Sequence, residues 1–115
     1  MKGTTRFLSH REIPQKLDDL LSELHRDQIL RGYSAETLVA KSAYYLAELN
    51  YIHPFREGNG RTIREFMRLI YLQAGYLVDW GAVPPEVLLD AMVESVFLRD
   101  RLELVLWDCL TPLHE

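Results

Sequence analysis

Between two helical runs the chain is broken at His53–Gly60, where Pro54, Gly58 and Gly60 fall close together. Proline removes a backbone donor and the glycines release the backbone, so one helix must end here and another begin after it. Upstream, Leu38, Val39, Ser42, Ala43, Leu46, Leu49 and Ile52 form a broad apolar face with small residues, the pattern of a central, largely buried helix. Ser34 is placed to cap its start. Downstream, helicity is expected from about Arg61 through Phe66, Met67, Ile70, Tyr71 and Ala74, with Gly75 as the C-cap.

The flanks extend the same picture. Residues 1–12 are short and polar and read as an extended arm. From about Pro14, Leu17, Leu20, Leu21, Leu24 and Ile29 recur at helical spacing until Gly32. Pro84 and Pro85 open a helix through Leu88, Leu89, Met92 and Val93. A last helix is expected over Asp100 to Leu110, stopped by Pro112. Strand signals are almost absent, so the class is all-α, a compact helical bundle in one domain over residues 1–115. Apolar residues make up 48% and charged residues 26%, an ordinary globular balance. A net charge of −4 argues against nucleic acid as the main partner. The N-terminus lacks a secretory apolar core, and no run approaches the roughly 20 residues that span a bilayer. Cys109 is the single cysteine, reads as a small buried apolar residue, and suits a reducing cytoplasm.

The chemistry is concentrated in His53-Pro54-Phe55-Arg56-Glu57-Gly58-Asn59-Gly60-Arg61-Thr62-Ile63-Arg64. Gly58 and Gly60 let the backbone approach a ligand with no Cβ in the way. The helix that follows points its free N–H groups and positive dipole end into the loop, which makes an anion cradle. Arg61 and Arg64, three residues apart, share a face and reach phosphate oxygens with planar forks. Glu57 is a carboxylate beside this cationic site, the kind of group that holds Mg²⁺ next to phosphates. His53 titrates near neutrality and suits general-base work. Phe55 reads as a plug that fixes the loop to the helices. Singly each residue is ordinary: a lone histidine is more often structural, and two arginines three apart usually decorate a wet helix face. Together they call for a phosphate to serve. No Gly-Lys-Ser/Thr run exists, so the loop is not a P-loop.

The segment resembles, at every defined position, the Fic (filamentation-induced-by-cAMP) signature His-Pro-Phe-x-Asp/Glu-Gly-Asn-Gly-Arg-x-x-Arg. Gly3-Thr4-Thr5-Arg6-Phe7 is similar to that family's target-docking flap, and Ala74 to Trp80 to its segment after the signature helix. The resemblance implies a protein AMP-transferase that moves AMP from ATP to a Tyr, Thr or Ser hydroxyl of a target protein and releases diphosphate. It makes His53 the base and Glu57 the Mg²⁺ ligand. Gly58, Asn59 and Gly60 become the anion hole, with Arg61 and Arg64 on the outer phosphates; Phe55 and Arg56 complete the nucleotide-binding loop. Members usually carry a further helix and the first flap strand ahead of the flap segment, so the chain is expected to start inside that element. Only Glu57 among the glutamates is followed by Gly, and His53 stands four before it, so no self-inhibitory Ser/Thr-x-x-x-Glu-Gly/Asn helix is evident. The resemblance then implies a separate small antitoxin as inhibitor, and a cytoplasmic site of action, in the cell itself or in a host cell after delivery.

Two other functions remain open at this point. One is a catalytically silent module that binds nucleotide or antitoxin. The other is a kinase similar to Doc, whose relatives carry Lys where this chain has Gly60. Gln73, Tyr76 and Trp80 could border an adenine pocket, although packing between helices is the simpler reading for Tyr76 and Trp80. Tyr44 and Tyr45 read as core, and His10, His25 and His114 as surface residues without metal-ligand spacing.

Overall fold

The computed structural model describes residues 11–52 and 59–113, the Asn59 side chain excepted. Among them lie five α-helices: α1 (Ile13–Arg26), α2 (Ala35–Ile52), α3 (Asn59–Gln73), α4 (Pro85–Glu94) and α5 (Asp100–Cys109). Two short strands, β1 (Tyr76–Val78) and β2 (Leu110–Pro112), pair antiparallel with Leu77 opposite Thr111. The all-α class expected from periodicity is the one observed. Two details differ. Helix α3 begins at Asn59, two residues early, and α5 stops at Cys109 because Leu110–Pro112 turns into β2. No helix among the described residues is long and apolar enough to cross a membrane.

Helix α2 is the centre, packed against α1, α3, α4 and α5. Leu38, Val39, Ser42, Ala43, Tyr45, Leu46, Ala47, Leu49 and Ile52 are all buried along it. Ser34 starts it as expected: its Oγ accepts from Thr37 N at 3.3 Å and its carbonyl from Leu38 N at 2.8 Å. Helix α3 lays Ile63, Met67, Ile70 and Tyr71 into the same core. It ends where Gly75 takes φ +94°, a left-handed cap that a side chain would strain. Asn50 Nδ2 donates to the Met92 carbonyl at 2.8 Å and ties α2 to α4. Leu102, Val105 and Leu106 of α5 are buried, as is Cys109, whose thiol is pushed up to about 11 by burial, with help from Asp108 and Asp79.

After α1 the chain departs from expectation. Ile29 does not continue the helix, which ends at Arg26. Instead Gln28, Ile29 and Leu30 take φ of 60°, 53° and 63°, a left-handed turn built without glycine. Such backbone costs roughly 1–2 kcal/mol per residue. Two gains offset it. The turn drives Leu30 into the core at 1% exposure, a burial of about 1.5–3 kcal/mol. It also leaves Asp27 at the meeting point of three donors: Tyr33 Oη at 2.5 Å, Tyr45 Oη at 3.0 Å and Lys41 Nζ at 3.2 Å. Hydrogen bonds to a charged group contribute about 1.5–3 kcal/mol each. Leu21, expected with the α1 stripe, is 40% exposed, and the stripe narrows to Leu17, Leu20 and Leu24.

Burial alone would raise the Asp27 pKa, but the hydrogen bonds from Tyr33, Tyr45 and Lys41 outweigh it and hold the carboxyl below its ordinary value. Its stabilisation is therefore complete above the unfolded pKa of about 3.9 and is lost as pH falls through the lower folded value. Asp27→Ala is expected to lower unfolding free energy by about 2–3 kcal/mol near neutrality in urea titrations. The gap between wild type and Asp27→Asn should close as pH drops below about 4. Gln28 is exposed with φ 60°, so Gln28→Gly should raise stability by about 1 kcal/mol, read as a higher melting temperature.

Candidate functional site

The first turn of α3 carries Asn59, Gly60, Arg61 and Thr62, and holds no acidic residue. Its free N–H groups and positive dipole end are therefore not neutralised from within the turn. Arg61 is exposed and Arg64 half-buried. Among the described residues neither is paired with a carboxylate, whereas Arg68, one turn further along, is tied to Glu65 with Nε–O at 2.9 Å. Two guanidinium groups without a carboxylate partner among the described residues thus stand at the positive end of the helix, and the third is tied to Glu65 away from it.

Arg64 folds back along the helix. A Cβ placed on Gly60 would lie 3.0 Å from Arg64 Nη1 and 3.9 Å from Cζ. Helical side chains lean toward the N-terminus and meet the residue four before them, so this approach follows from backbone direction. Gly60 was expected to admit a ligand to the backbone; the structure gives it a second task, leaving room for the guanidinium. That task was legible in the i, i+4 spacing of Gly60 and Arg64 and was missed.

His53, Phe55, Arg56, Glu57 and Gly58 lie outside the described residues, as do residues 1–10 of the expected flap arm, His10 and His114. Asn59 is described as the first residue of α3. The structure thus brings Gly60, Arg61 and Arg64 together. Ile52, the last residue of α2 and 3% exposed, holds the point from which His53 follows. Among the described residues no group of three His, Cys, Asp or Glu side chains could hold a metal. A Mg²⁺ carried by one carboxylate and by phosphate oxygens needs no such group, and the oxygen chemistry of Glu57 suits it.

Of the residues weighed for a base pocket, Gln73 is exposed and Tyr76 half-buried in β1. Trp80 turns inward: its ring stands 6.3 Å from that of Tyr71 at a 53° tilt, and its Nε1 is buried. Packing is thus the observed role of Trp80. Tyr45 is 2% exposed, and the Tyr44 hydroxyl donates to Glu23 at 2.8 Å, so both belong to the helix packing. Burial and that hydrogen bond raise Tyr44 to about 12. His25 is exposed on the last turn of α1.

The Fic/DOC family model matches residues 2–71. This chain belongs to the Fic/DOC family. It is 38% identical over 97 residues to the protein adenylyltransferase VbhT of Bartonella schoenbuchensis, covering 84% of this chain and 20% of that protein. It is 40% identical over 95 residues to the probable protein adenylyltransferase y4lH of Sinorhizobium fredii, covering 82% of this chain and 50% of that one. The fold superposes with a TM-score of 0.88 and 27% identity on the BepC protein of Bartonella tribocorum with bound AMPPNP, over 96% of this chain and 54% of that one. The chain spans from a fifth to about half of the length of these relatives. Helix α3 carries Arg61 and Arg64, the two arginines of the segment that resembles the Fic signature, and lies within the matched residues.

Gly60→Ala tests the fold-back of Arg64. Alanine favours the helix by about 1 kcal/mol, so the melting temperature should hold or rise. The displaced guanidinium should weaken binding of inorganic triphosphate about tenfold in a calorimetric titration, the loss of roughly one charge-assisted hydrogen bond.

Proposed function

We propose that this Fic domain transfers AMP from ATP to a hydroxyl side chain of a target protein. The observation that carries the reading is the pair of arginines without a carboxylate partner among the described residues, at a start of α3 whose first turn holds no acid, with Arg64 laid over Gly60. Arg61 and Arg64 bind the β- and γ-phosphates, and the helix N-terminus with Gly58, Asn59 and Gly60 receives the α-phosphate oxygens. Glu57 holds the Mg²⁺ that neutralises the phosphate charge when bound. Phe55 is assigned the anchoring of the loop, and Arg56 is assigned to nucleotide binding.

His53 takes the proton from a Tyr, Thr or Ser hydroxyl as that oxygen attacks the α-phosphorus. The new O–P bond forms as the bond from the α-phosphorus to the bridging oxygen breaks, and diphosphate leaves with its charge on Arg61 and Arg64. The polar segment 2–8 pairs with a strand of the target and aims its hydroxyl. The similarity to two adenylyltransferases and to an AMPPNP-bound Fic structure supports the nucleotide and the reaction class. A separate small antitoxin that reaches Arg64 is the natural inhibitor, and the site of action is cytoplasmic, in the producing cell or in a host cell.

Incubation with α-labelled ATP and Mg²⁺ should label a target protein, and His53→Ala should cut the rate by about 10²–10⁴-fold. Arg61→Ala and Glu57→Ala should lose transfer while keeping the helical circular dichroism of the wild type. Label delivered only from the γ-position would make the chain a kinase, and ATP binding without any transfer would make it a silent module. Transfer at the wild-type rate by any of these variants would remove that residue from its assigned role.

A further inference from the structure

Among the described residues, two buried side-chain polar atoms have no protein partner. Tyr71 Oη and Trp80 Nε1 are both shut off from solvent, and neither makes a hydrogen bond. They belong to one place: the two rings are 6.3 Å apart and tilted by 53°, too oblique to stack face to face. Tyr71 is wholly buried on the inner side of α3, and Trp80 opens the short 3₁₀ turn Trp80–Ala82 that follows β1. Ser42 of α2 is the polar neighbour of the Tyr71 phenol. It does not meet that phenol in hydrogen-bonding geometry, and its own proton goes to the Val39 carbonyl at 3.2 Å.

More than nine in ten buried polar groups in folded proteins find a partner in protein or ordered water. Indole N–H only donates, and a phenol both donates and accepts. The Tyr71 oxygen could accept from the indole N–H, but the two atoms do not meet in hydrogen-bonding geometry, so each still calls for a partner. We propose that an ordered internal water sits between Tyr71 and Trp80 and joins α3 to the turn that follows β1. The water accepts from Trp80 Nε1–H and from the Tyr71 hydroxyl, and it donates to Ser42 Oγ. It thereby gains three bonds, the usual complement of a buried water. Burial raises the Tyr71 pKa, so the phenol keeps the proton that it donates. The water is a shared joint between α2, α3 and the segment that leads to α4, and it stands apart from the phosphate-binding turn.

A high-resolution crystal structure of the chain should show a water peak within about 3.2 Å of both atoms. Tyr71→Phe and Trp80→Phe should each raise the unfolding equilibrium constant about tenfold in urea. Because both act on one water, the double variant should stay near tenfold, well short of the hundredfold expected of independent bonds. All three variants should keep the helical circular dichroism. A dry gap in the density, or single effects that multiply in the double variant, overturns the proposal.

Discussion

Helix α2 is apolar around so much of its circumference that it cannot stand alone in water. A helix of this kind must be covered on several sides, and α1, α3, α4 and α5 supply the cover. The arrangement has a consequence at each end of the segment that joins α2 to α3. Ile52 is buried at the end of α2, and Ile63 is buried one turn into α3. The helix ends on either side of that segment are thus fixed by core residues.

The positive charge is organised just as economically. The chain is acidic overall, with 17 carboxylates against 13 lysines and arginines. Yet the opening turn of α3 carries no acid, and its arginines have no carboxylate partner among the described residues. Arg68 shows the contrast on the same helix, since Glu65 neutralises it. An exposed ion pair of that kind contributes little to stability, but it keeps Arg68 from competing for the same anion. Exclusion of acid from that opening turn, rather than net charge, leaves the start of α3 cationic.

Much of this was legible in the sequence where short-range chemistry decides. Ser34 as a cap, Gly75 as a stop, the buried face of α2 and the paired arginines of α3 all rest on contacts within a turn or on a fixed period. What escaped the reading rests on distant partners. The left-handed turn at Gln28–Leu30 exists because Asp27 is gripped by Tyr33, Lys41 and Tyr45, which the periodicity around Leu24 cannot anticipate. The pairing of Tyr76–Val78 with Leu110–Pro112 joins three-residue segments far apart in the chain, too short to show alternation. Leu21 looked like a core residue because its spacing was right, but the neighbouring helices cover only a narrow stripe of α1.

Cys109 carries a practical consequence. It is the sole thiol of the chain, it is 1% exposed, and its environment keeps it protonated far above neutral pH. Thiolate is the reactive form, so maleimide reagents find no foothold on the native protein. A cysteine introduced at any exposed position would be a single chemical handle on a silent background. Fluorophores or spin labels could then be attached site by site without first mutating the interior.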